Sequence, residues 1–99
     1  MTVNANDFGL LSPTYKNTST SVLVKTGYGR LRGIFVASVG TGQDAPTIKL
    51  WDNTSAATTV LVNTFSPATS TYYNMGDVAF GTGLYITLAN TIDCTIFYF

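Results

Sequence analysis

The chain contains no histidine, no glutamate and a single cysteine. Without histidine and glutamate the commonest general acid–base groups are missing, and five aspartates are the only carboxylate side chains. The lone Cys94 makes no internal disulfide, and without histidine it supports no ordinary zinc site. It lies in the apolar run Cys94-Thr95-Ile96-Phe97-Tyr98-Phe99, which predicts a buried, inert thiol. Charge is equally scarce: 10% of the residues are charged, against about 25% in ordinary domains. The net charge is zero, so the basic footprint of a nucleic-acid binder is absent. No apolar run approaches the roughly twenty residues of a membrane helix. Residues 1–7 have neither the basic start nor the hydrophobic stretch of a secretory signal. The expectation is a protein made in the cytoplasm, with no cofactor, no nucleic-acid partner, no membrane partner and no catalytic residues.

What the chain does have is seventeen threonines and a 45% apolar share. Threonine, valine, isoleucine and aromatics favour strands, and helix formers are few. With so little charge, the surface must be built largely from Thr, Ser and Asn. A partnered hydroxyl costs far less to bury than Lys or Glu, so such a surface can lie against other protein. Ninety-nine residues fit one domain. Residues 1–13 form a polar arm with an apolar knot at Phe8, Leu10 and Leu11, ending at Ser12-Pro13; residues 14–99 form the folded domain.

Strands are predicted at Ser21–Lys25, Arg30–Val39, Thr47–Trp51, Ala57–Phe65, Thr71–Met75, Asp77–Phe80, Leu84–Leu88 and over 92–99. In the longest, alternation places Leu31, Gly33, Phe35, Ala37 and Val39 on one face and Arg30, Arg32, Ile34, Val36 and Ser38 on the other. Gly33 marks a bulge or a close backbone approach. The last two strands are expected to form a hairpin. The pairs Gly27/Gly29 and Gly81/Gly83 read as hairpin glycines, since neither precedes the helix that a phosphate cradle requires. About eight strands suit an all-β, two-sheet antiparallel sandwich of jelly-roll type with an N-terminal arm.

No constellation points to catalysis. The aspartates at 7, 44, 52, 77 and 93 fall at turns and strand ends, where Asp is an ordinary turn residue. Arg30 and Arg32 read as two solvated or salt-bridged arginines at a strand start, as a docking point for an acidic protein patch, or as a phosphate or nucleic-acid contact. Trp51, Tyr72 and Tyr73 are core or interface aromatics or, on the alternative, a sugar-binding platform.

Four segments carry a resemblance: Gly29–Ser38, Ile48–Asn53, Asp77–Thr87 and Asp93–Phe99. They pair a G-x-L-x-G-I strand with a K-L-W-D-N strand and an F-x-T-G-L-Y segment. Together, over residues 20–99, they resemble small structural proteins of tailed bacteriophages. The resemblance implies a capsid decoration or cement protein on the outer surface of the virion head. Such proteins bridge major capsid subunits and associate with themselves as trimers or dimers. The expected contacts to capsid or to a second copy are Phe8, Leu10, Leu11, Arg30 and Arg32. The alternatives are a head-fibre, tail or receptor-binding virion module, or a small carbohydrate-binding β-sandwich using Trp51, Tyr72 or Tyr73.

Overall fold

The computed structural model describes residues 12–41 and 44–99. The expected contacts Phe8, Leu10 and Leu11, and most of the arm, lie outside the described residues. The strands are β1 (Thr14–Thr18), β2 (Val22–Thr26), β3 (Gly29–Val39), β4 (Thr47–Trp51), β5 (Val60–Phe65), β6 (Thr71–Phe80), β7 (Gly83–Ala89) and β8 (Ile92–Tyr98). One antiparallel sheet has the order β1-β8-β3-β6 and the other β2-β7-β4-β5. The pairs β4–β5, β3–β6, β2–β7 and β1–β8 alternate between the two sheets. This is one long antiparallel ribbon rolled into a two-sheet sandwich, the jelly-roll winding.

The core comes mainly from the two central strands of each sheet. Leu31, Ile34 and Val36 of β3 meet Ile92, Cys94 and Ile96 of β8 in one sheet; Ile48 and Leu50 of β4 meet Leu84 and Ile86 of β7 in the other. Phe80 closes one end, and every one of these side chains is buried. Full burial of a side chain of this size stabilises by about 1.5–3 kcal/mol. The edge strands add half-buried Val22, Val24, Leu61, Val62, Phe65, Tyr73 and Met75.

Several expectations change. Residues 14–18, for which the sequence predicts no strand, form the edge strand β1. Thr71–Phe80 is one strand, not two, running through Gly76. β7 and β8 are not a hairpin: β7 pairs with β2 and β4, whereas β8 pairs with β1 and β3. The Gly27/Gly29 and Gly81/Gly83 turns likewise join strands of different sheets, so they are sandwich corners. The rolled ribbon makes sequence neighbours cross between sheets, a long-range property that local turn residues do not encode.

The face assignment within β3 is also corrected. Leu31, Ile34 and Val36 are buried, while Phe35 and Ala37 are exposed. The alternation slips one residue between Leu31 and Gly33: these two oppose Tyr98 and Phe97 on β8, leaving Arg32 as the extra residue. Against β6 the same two residues oppose Val78 and Asn74, so β6 bulges there by two residues. A bulge of this kind re-aims side chains. Gly76 and Asp77 take left-handed backbone there, with φ of 66° and 54°, conformations that Gly adopts freely and Asp more readily than most residues.

The turns at one end are tied together. The Asp52 carboxylate, just after β4, accepts backbone N–H bonds from Gly81 (3.0 Å), Thr82 (2.8 Å) and Gly83 (3.4 Å). Gly27 N–H donates to the Thr82 carbonyl at 2.9 Å. Three corner loops are thereby joined through one carboxylate and one backbone bond. The N–H bonds, led by Gly81, hold the Asp52 carboxyl below the usual carboxylate range.

Candidate functional site

The most distinctive surface is the outer face of the β1-β8-β3-β6 sheet. Tyr15 of β1 stands opposite Phe97 of β8, and Phe35 of β3 stands opposite Tyr72 of β6. Tyr15 (63%), Tyr72 (46%) and Phe35 (37%) are exposed, and Phe97 is half-buried. The Tyr72 and Phe97 rings meet edge-on, with centroids 6.2 Å apart. They meet across β3 because the residue between them is Gly33, where a Cβ would overlap the Tyr72 phenol. Asn17, Ala37, Asn74 and Thr95 fill the spaces, and Thr95 Oγ1 donates to Asn17 Oδ1 at 2.6 Å. The charges of this face are Asp93 toward one end, and Arg30 with an Arg32–Asp77 ion pair toward the other. An aromatic stripe thus crosses all four strands without a charged side chain between its members.

Arg32 is committed internally. Its guanidinium grips both Asp77 carboxylate oxygens, with Nη2 to Oδ2 at 3.2 Å, and lies 5.0 Å from the Phe99 ring centroid. The Arg32 hydrogen bond holds the Asp77 carboxyl below its ordinary range. Arg30 is exposed, and its Nη1 donates to the Asp77 carbonyl at 3.3 Å. The double bulge therefore gathers both arginines around Asp77: Arg32 is salt-bridged to its carboxylate, while Arg30 is exposed and bonded to its backbone carbonyl.

The three aromatics of the sugar-platform alternative are not brought together. Trp51 faces outward from β4 in the other sheet; its Nε1 donates to Thr87 Oγ1 at 3.2 Å, and Lys49 Nζ lies 4.4 Å from its ring centroid. Tyr72 belongs to the stripe. Tyr73 turns toward the space between the sheets, 5.1 Å from the Phe65 ring centroid, and its hydroxyl accepts the Ala68 N–H at 2.8 Å. Sequence reasoning missed Tyr15, Phe35 and Phe97. Tyr15 sits on β1, for which the sequence predicts no strand, and simple alternation puts Phe35 on the face of Leu31 because it does not contain the bulge at Arg32. The pairing of Thr95 with Phe97 on one side of β8 was the available signal for an outward aromatic.

A second surface is a cleft of about 560 Å³ where the sandwich opens between the edges of its two sheets. It is lined by Val62, Asn63 and Phe65 of β5 and by Tyr72, Tyr73 and Met75 of β6. A smaller cleft of about 340 Å³ lies among Lys25, Tyr28, Arg30, Phe80 and Phe99. Cys94 is buried, and burial, with the nearby Asp93 charge, pushes its thiol pKa up to about 11. It is therefore a protonated thiol at neutral pH. Among the described residues no group of three His, Cys, Asp or Glu side chains is placed to hold a metal ion.

Compared with protein families, with characterised proteins and with solved structures, the chain matches none.

Proposed function

We propose that the chain is a bacteriophage virion structural protein, a capsid decoration or cement protein that binds the outer head surface and bridges major capsid subunits. The observation that carries this reading is the aromatic stripe of Tyr15, Phe97, Phe35 and Tyr72 on a hydroxyl- and amide-rich face. Contiguous exposed aromatics mark docking surfaces, and interface cores are rich in Tyr and Phe and depleted of charge. The choice of partner rests on the sequence resemblance to phage structural proteins. The jelly-roll winding suits it, being a scaffold common in viral capsid and lectin domains, although a fold by itself sets no function.

The work would be mechanical. Covering seams between capsomers removes aromatic surface from water and adds cohesion against the pressure of packaged DNA. Individual contacts can be modest because many copies act on one lattice. Imaging virions that carry this protein tests the assignment: density for the sandwich over capsomer seams supports it, and density confined to the tail or to fibres replaces it with another virion role. Trp51→Ala separates the carbohydrate alternative, which requires a folded variant to lose glycan binding.

A further inference from the structure

Two of the chain's five lysine and arginine side chains, Lys25 of β2 and Arg30 of β3, flank the cleft of about 340 Å³. Its floor is apolar, made by buried Phe80 and half-buried Phe99. The floor packs tightly against β3 because residue 29 is glycine; a Cβ there would overlap both the Phe80 ring and the Phe99 carbonyl oxygen. Phe99 is held in place by paired backbone bonds with Arg30, at 2.8 and 3.2 Å, and by the Arg32 guanidinium 5.0 Å from its ring centroid. The wall is Tyr28 in the β2–β3 turn, 81% exposed, with Lys25 Nζ 5.9 Å from its ring centroid. No carboxylate side chain lines the cleft. Among the described residues Arg32–Asp77 is the only ion pair, so neither Lys25 nor Arg30 has an acidic partner there. Arg30 uses one N–H on the Asp77 carbonyl and keeps the rest of its guanidinium for another acceptor.

We infer that this cleft binds a segment of a partner protein in which a carboxylate side chain lies beside an aliphatic or aromatic one. The apolar side chain covers Phe80 and Phe99 against Tyr28, and the carboxylate meets Lys25 and Arg30 through charge-assisted hydrogen bonds. Tyr and Arg are among the residue types that carry most of the binding energy at protein interfaces. Other occupants fit less well. A nucleic acid would find two cations on a chain of zero net charge, which supplies little of the electrostatic attraction that such binding depends on. A small anion would want polar groups fixed by burial, whereas among the described residues no polar or charged side chain is buried. This inference rests on the protein-docking half of the proposed function and names the chemistry of a partner. None of the cleft's residues belongs to the aromatic stripe, and no capsid is needed, so it is tested on the free protein.

The test uses the full chain and a fluorescent peptide that alternates glutamate with leucine, followed by anisotropy at low salt. Saturable binding is expected, at least about tenfold tighter than that of a glutamine–leucine or a glutamate–serine peptide. Lys25→Gln together with Arg30→Gln should weaken it by at least about tenfold, and Tyr28→Ala by at least about fivefold. Lys25→Arg together with Arg30→Lys should retain it, and salt of about 0.5 M should weaken it. All three side chains are exposed or half-buried, and unchanged circular dichroism verifies the fold of each variant. Absence of saturable binding by the glutamate–leucine peptide would overturn the inference, as would binding that the double glutamine variant leaves unchanged. A thymidine oligonucleotide that binds more tightly than the peptide, or self-association in sedimentation that Arg30→Gln abolishes, would give the cleft a different occupant and also overturn it. Heads that bind the wild-type chain while the peptide does not would sink this cleft and leave the aromatic stripe standing.

Discussion

Replacing Asp52 tests how the corners of the sandwich are held. The carboxylate accepts N–H bonds from Gly81, Thr82 and Gly83, and Thr82 in turn accepts from Gly27. Asp52→Ala removes the acceptor for a whole corner. A hydrogen bond to a charged group contributes about 1.5–3 kcal/mol when sheltered. Asp52 is only partly buried and water replaces part of what is lost, so the expected cost is about 1–2 kcal/mol. In a domain of this size, that lowers Tm by roughly 5–15 °C. Asp52→Asn keeps one carbonyl oxygen without the charge and should fall between the two. The effect has a defined pH dependence. The folded pKa lies below the unfolded value, so the stabilisation is fully present above the unfolded pKa of about 3.9. It is lost as pH falls through the folded value. Urea denaturation of wild type and Asp52→Ala at neutral pH and near pH 2.5 is therefore expected to show a gap that narrows in acid. Equal stability at neutral pH, or a gap that persists undiminished in acid, refutes the role assigned to this carboxylate.

Further outcomes follow from the same packing. Leu50→Ala, between the sheets with no exposed surface, should cost about 2–5 kcal/mol by calorimetry, a large share of the 5–15 kcal/mol typical of a domain. Gly33→Ala should push the Tyr72 ring off β3 and cost about 1–3 kcal/mol, visible as lower stability and altered Tyr72 and Phe97 ring resonances; an unshifted Tyr72 would contradict the contact. Cys94 should resist neutral-pH thiol reagents in the native protein and react fully on unfolding, and rapid native labelling would show that its burial is misassigned.

The sandwich was legible in the sequence because its central strands obey simple alternation. Ile48 and Leu50, Leu84 and Ile86, and Cys94 and Ile96 all face inward as their spacing requires. Recurrent turn residues gave the strand density from which a jelly roll was expected. β3 was misread at the point where the pattern ceases to be local. A bulge at Arg32 turns Phe35 and Ala37 outward, and the bulge depends on pairing with β6 and β8, which no single segment contains. β1 went unassigned because Thr14–Thr18 is mostly polar, as an exposed edge strand can be. The salt-bridged reading of the arginines was open from the sequence, but the partner, Asp77, is 45 residues from Arg32 and is aimed at it only by the bulge in β6. The aromatic stripe was the least legible feature. Its members come from four strands, and aromatic residues look alike in sequence whether they fill a core or face a partner.

The central claim is that the outer face of the β1-β8-β3-β6 sheet docks onto a capsid. The most direct measurement is co-sedimentation of the protein with expanded empty heads of a tailed phage that carries it, for wild type and for Tyr15→Lys and Tyr72→Lys, which place charge at exposed positions of the stripe. Saturable binding by wild type that raises the melting temperature of the heads, and that either lysine weakens by at least about tenfold, is the predicted result. Absence of binding to heads, or binding that both lysines leave unchanged, would contradict it.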